Sequence, residues 1–145
     1  MSNISTQMTV PYTAEQMYDL VYDIKSYPKF IPLCSSTEIH EEQDHKSRAI
    51  MRIAKGKLGF EFSTVNSTEK GRYISINLDN GPFKSLKGVW RFTSLGSHQC
   101  MVSLHFEFEF SNKLLDVALG GLFRQLCDSM IESFHKQAVV RYGPG

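Results

Sequence analysis

The chain has 145 residues, 41% of them hydrophobic, and 16 Lys and Arg stand against 15 Asp and Glu for a formal net charge of +1. That length suits one domain spanning 1–145 around one core, and the near balance of charge provides no global attraction to a polyanion such as DNA. Cys34, Cys100 and Cys127 are odd in number, far apart and outside any CxxC spacing, so neither a disulfide framework nor a metal site is indicated. Reduced thiols in a cytoplasmic-type compartment are expected. The amino terminus MSNISTQMTV has no basic segment followed by an apolar one, and no run of about 18 apolar residues occurs, so membrane contact is expected to be peripheral at most.

In chain order, Ile4, Thr6, Met8 and Val10 alternate with polar residues and predict a first strand closed by Pro11. TAEQ at Thr13–Gln16 fits a capping box, flanked by Tyr12 and Met17 as a hydrophobic staple. The helix that starts there places Met17, Leu20, Val21 and Ile24 on one face, and Pro28 is expected to end or break it. From Thr37 onward the period changes to 2, with turn signals at Asp44, Lys55, Lys70, Asn80 and Leu95, which predicts six strands in a meander. In SLHFEFEF, Leu104, Phe106, Phe108 and Phe110 face one way and His105, Glu107 and Glu109 the other; LKGVWRF groups Leu86, Gly88, Trp90 and Phe92. Ser111 or Asn112 then caps one long helix to about Tyr142, whose apolar stripe runs through Leu115, Leu119, Leu122, Phe123, Leu126, Met130 and Phe134. These elements define an α+β fold in which a seven-stranded antiparallel sheet wraps the last helix.

A sheet gripping a helix leaves space between them unless side chains fill it. Phe60, Phe62, Trp90, Phe106 and Phe108 offer walls for such a cavity, although most aromatic stripes on sheets are solid core, which the pattern alone favours. Trp90 distinguishes the two: its truncation costs much in a packed core and less beside a void. The sequence holds no phosphate loop or nucleophile elbow, and its one adjacent set of potential catalytic groups, His105, Glu107 and Glu109, falls on the face opposite the aromatics, so no catalysis is expected. The inner face is expected to be almost purely apolar. Lys46, Arg48, Arg52, Lys55 and Lys57 follow one another with no acidic residue between them, a candidate contact for RNA phosphates or anionic lipid heads as well as an ordinary solvated face. Gly120 and Gly121 interrupt the long helix, where close approach of a neighbour is the usual compensation.

Three blocks, VPYTAEQMYDLVYDIKSYPKFIPLC, NGPFKSLKGVWRF and FEFSNKLL, in this order and spacing, resemble the START-like (SRPBCC) family that holds the bacterial ribosome-association toxins and the coenzyme-Q-binding START-domain proteins. The resemblance implies a helix-grip fold with an internal hydrophobic cavity. In the quinone-binding branch it implies a non-enzymatic carrier of ubiquinone that supports respiration, with no obligatory cofactor and a place in the cytoplasm or at the periphery of the inner membrane. In the toxin branch it implies binding to the large ribosomal subunit and a block to subunit association. Leu33 stands where many quinone-branch relatives have Trp. On the carrier reading, Phe30, Phe60, Phe62, Leu86, Trp90, Phe106, Phe108, Leu119, Phe123 and Met130 line a ligand cavity of roughly 300–1,000 Å³, and Tyr27, Pro28 and Pro32 form its gate. On the toxin reading, Arg48, Arg52, Lys55 and Lys57 form the anionic-partner surface.

Overall fold

Residues 2–145 are described by a computed structural model. Strand β1 (Ser2–Val10) leads into helix α1 (Ala14–Tyr22), a 3-10 turn (Ile24–Lys29), the strands β2 (Cys34–Gln43), β3 (Lys46–Lys55), β4 (Leu58–Glu69), β5 (Tyr73–Asn80), β6 (Phe83–Ser94) and β7 (Cys100–Phe110), and helix α2 (Lys113–Tyr142). All pairings are antiparallel, in the order β1-β7-β6-β5-β4-β3-β2, so the first strand closes onto the last and β2 forms the other edge. The turns fall at each of the five positions where turn residues interrupt the alternation. This is the helix-grip architecture.

The capping box forms as the sequence dictates. Gln16 N donates to Thr13 Oγ1 at 3.1 Å, and Thr13 N donates to Gln16 Oε1 at 2.9 Å. The end of α1 differs from expectation, because the helix stops at Tyr22 and Pro28 lies inside the following 3-10 turn. Asp23, at φ −81° and ψ 71°, leaves helical geometry first, and its carboxylate accepts from Ser26 Oγ at 2.6 Å, which starts the tighter turn. Proline, lacking an N–H, is tolerated in so short a segment.

At the other end Asn112 caps α2, its Oδ1 accepting from Leu115 N at 2.8 Å. Leu119, Leu122, Phe123, Leu126, Met130 and Phe134 are buried and Leu115 is half-buried, while Asp116, Arg124, Asp128, Glu132 and Lys136 are exposed. The stripe meets the inner sheet face through Phe123, whose ring centroid lies 4.8 Å from that of Phe108, 5.1 Å from Phe83 and 5.9 Å from both Phe62 and Phe106. Mostly edge-to-face packing of this kind fills one half of the interior to solid density. The unfilled space is left to the other half.

Candidate functional site: a cavity with one polar wall

A cavity of about 60 Å³ lies between the inner face of β3–β7 and a cover made by the last turn of α1, the 3-10 turn and α2. Val21, Tyr22, Ile24 and Tyr27 line it from the cover, Leu126, Cys127 and Met130 from α2, and Met51, Phe62, Ile74, Ile76, Trp90 and Phe106 from the sheet. Of the lining residues, Tyr22, Ile24, Met51 and Ile76 are only half-buried. The volume is several-fold below the size expected from sequence. The reason is the phenylalanine cluster, which occupies the space that a wider grip would leave open.

Of the residues expected to line a cavity, Phe62, Trp90, Phe106, Phe123 and Met130 do so. Phe60, Leu86, Phe108 and Leu119 are buried in the solid half, and half-buried Phe30 packs on Tyr27 and Phe134 at ring distances of 6.3 and 5.4 Å. Trp90 has both characters. One part borders the void, while its ring stands edge-on to Phe134 at 5.3 Å and it is only 1% exposed. Gly88, on the same face, was not expected to matter for the cavity, yet a Cβ there would overlap the Phe106 ring, so glycine at this position lets Phe106 lie flat across β6.

The inner face departs from the expected purely apolar surface. The parity that buries Phe60 and Phe62 continues along β4 to Thr64, Asn66 and Thr68, which are 4–7% exposed and line the cavity together with Ser47 of β3. Thr64 Oγ1 donates to Asn66 Oδ1 at 2.9 Å, and burial raises the Tyr18 hydroxyl above its ordinary value, an effect that the Thr68 side chain partly offsets. Ser47 sits directly across the β3–β4 pair from Asn66. These residues could have been found by extending the alternation through STVNSTE, where polar side chains mask an inward parity.

The segment proposed as a gate divides. Tyr27 is buried, lines the cavity and donates its hydroxyl hydrogen to the Val21 carbonyl, whereas Pro28 and Pro32 are exposed and outside the wall. Leu33 adopts φ 72°, a left-handed conformation uncommon for a branched side chain, at the corner where β2 begins, and its carbonyl accepts from Ala54 N at 2.9 Å. The apolar residues of this stretch thus plug a corner, with Tyr27 and Phe30 against Phe134.

Burial also governs the thiols. Cys34 and Cys100 are pushed up from 9.0 to about 11 by desolvation, and Cys127 and Tyr27 are raised further for the same reason. Because the folded values exceed the unfolded ones, the contribution to stability is complete below about pH 9 and is lost as the pH rises towards 11. Denaturation midpoints are expected to be insensitive to these groups at pH 7–8.5 and to fall across pH 9–11. All three cysteines should resist alkylation at pH 8 until the protein is unfolded. Rapid labelling of the native protein would contradict the buried placement.

The other singled-out residues lie outside the cavity. His105, Glu107 and Glu109 are on the outer sheet face, where His105 Nδ1 is 2.6 Å from Ser5 Oγ and Nε2 is 3.6 Å from Glu107 Oε1. The basic run does not form one free patch: Arg48 is engaged by Asp79 at 2.7 Å, which raises the guanidinium and lowers the carboxyl from their usual values, and Lys55 donates to Gln125 of α2 at 3.3 Å. Arg52 and Lys57 are exposed and take part in no ion pair among the described residues. Gly120 is buried against Phe110 and Asp116, but Gly121 faces solvent with no atom within 4 Å of a built Cβ, so no internal neighbour accounts for it.

Residues 10–135 match the family described as polyketide cyclase / dehydrase and lipid transport, and the chain belongs to that family. It is 39% identical over 142 residues to the ribosome association toxin RatA of Pseudomonas aeruginosa, covering 98% of this chain and 99% of that protein. It is 25% identical to the mitochondrial coenzyme Q-binding protein COQ10 homolog B of Xenopus laevis, over 96% of this chain and 59% of that one. In fold it is similar to the Zhui aromatase/cyclase of Streptomyces sp. R1128, with a TM-score of 0.85 at 15% identity over 99% of this chain and 98% of that one. No helix among the described residues is long and apolar enough to cross a membrane.

Proposed function

We propose that this protein is a non-enzymatic binding protein that associates with the large ribosomal subunit and opposes its joining with the small one. The observation that carries this reading is the 39% identity, over nearly the full length of both proteins, to one named for ribosome association, against 25% identity over 59% of the coenzyme Q-binding protein. The cavity is consistent with it: at about 60 Å³ it is below the usual size of a ligand pocket, and a polyprenyl quinone would enter only with substantial re-packing of the wall. Its wall carries hydroxyls, one carboxamide and one buried thiol, but no histidine, carboxylate or cation, the groups that most often serve as acid or base in cyclase chemistry. On this reading Arg52 and Lys57 meet ribosomal RNA phosphates, with Arg48 and Lys55 held in internal contacts.

Sucrose-gradient profiles of ribosomes test this proposal. Adding the pure protein in several-fold excess is expected to shift assembled ribosomes towards free subunits, and Arg52→Glu with Lys57→Glu is expected to weaken the shift more than Arg48→Glu does. An unchanged profile with the native protein would refute the function; a full shift with the double variant would refute the contact surface alone.

A second reading rests on the apolar part of the cavity wall: the interior holds a small hydrophobic molecule. Met51 and Met130 flank the void, and such unbranched side chains re-pack at low cost to admit a guest.

A further inference from the structure

The polar wall has a feature that internal packing leaves unexplained. A carboxamide offers an acceptor oxygen and two N–H donors. Asn66 is 4% exposed, and its oxygen is taken by the Thr64 hydroxyl at 2.9 Å, yet no group among the described residues accepts from Nδ2. Ser47, 7% exposed and paired with Asn66 across β3 and β4, likewise has no side-chain hydrogen bond among the described residues. Both residues line the cavity. The two unused donors lie side by side on the wall and open to the cavity rather than being sealed inside the protein, so they can donate to whatever occupies it, water or a guest with an acceptor.

From this geometry we infer that Asn66 and Ser47 form a donor subsite for a compact, neutral, largely apolar molecule carrying one carbonyl-type oxygen. The oxygen accepts from Asn66 Nδ2 and Ser47 Oγ, and the apolar body lies against Ile74, Trp90 and Met130. Neutrality follows from the wall: no cation lines the cavity, so a carboxylate there would be buried without a counter-charge. The inference rests on the second reading above, that the cavity admits a ligand, and is independent of ribosome binding.

Two isosteric probes, acetophenone and α-methylstyrene, separate the subsite from the cavity. Binding to the ¹⁵N-labelled native protein is followed by proton–nitrogen correlation spectra that include the Asn66 side-chain amide. Both probes are expected to perturb the Trp90 indole signal. Acetophenone alone should move the Asn66 amide protons downfield, and it should bind about fivefold to tenfold more tightly than its hydrocarbon counterpart, the worth of one to two net hydrogen bonds. That preference should vanish in Asn66→Leu, and Ser47→Ala provides a gentler second variant if the first folds poorly. Equal affinity of the two probes, with no selective movement of the Asn66 amide, would overturn the donor subsite and leave the ligand reading intact. Failure of both probes to bind at millimolar concentration would overturn the ligand reading and the subsite with it.

Discussion

Phe123→Ala is expected to lower the free energy of unfolding by about 3–5 kcal/mol. Phe123 is 1% exposed and is the residue through which α2 touches the sheet interior, with six phenylalanine rings within 6.4 Å of its centroid. Removing it deletes the transfer energy of a whole ring and leaves a hole that rigid neighbours on a pleated sheet cannot close. Since domains of this size are stable by only about 5–15 kcal/mol, the variant should unfold near ambient temperature or at low denaturant. Urea titration of both proteins measures the shift in midpoint, and an unchanged slope would show that the same surface is still buried. A loss below about 1 kcal/mol would mean that the aromatic half of the interior is far looser than the ring distances imply.

The second large effect is expected from a gain of one methyl group. Gly88→Ala places a Cβ in the Phe106 ring, and an aromatic side chain clamped by Phe123 at 5.9 Å has little room to move aside. The ring can yield only towards the cavity that it lines. The expected outcome is a loss of about 1–3 kcal/mol, as for other overpacked cores, together with weaker binding of any small probe, because Phe106 then occupies part of the guest's volume. Thermal unfolding and the Trp90 signal on probe addition report the two effects separately. A variant with native stability and native probe binding would show that Phe106 does not lie over Gly88.

Much of the fold was legible because each element carries its own local signal. The alternation in SLHFEFEF, the Thr13–Gln16 capping box and the Asn112 cap each name a structure with one physical solution. The site was less legible for an equally physical reason. Strand parity tells which side chains point inward but not how tightly the sheet curls, so Phe60 and Phe108 could not be separated from Phe62 and Phe106 until the curvature was known. Asn66 and Ser47 are hard to find for a different reason: Asn66 shares the inward parity of Phe62 and Ser47 pairs with it across β3 and β4, but polar side chains break the apolar alternation that marks an inner face. The basic run read as one surface because a sequence does not show that Asp79, 31 residues beyond Arg48, comes back to meet it.

The central claim is that this chain binds the large ribosomal subunit as a protein, whatever its cavity holds. Its most direct test is pelleting of the purified protein with separately isolated large and small subunits, at physiological salt and again at high salt to gauge the phosphate contribution. The predicted result is saturable co-sedimentation with the large subunit at close to one protein per particle, little with the small subunit, and a marked reduction when Arg52 and Lys57 are reversed to Glu. Equal and unsaturable pelleting with both subunits, or none with either, would contradict it.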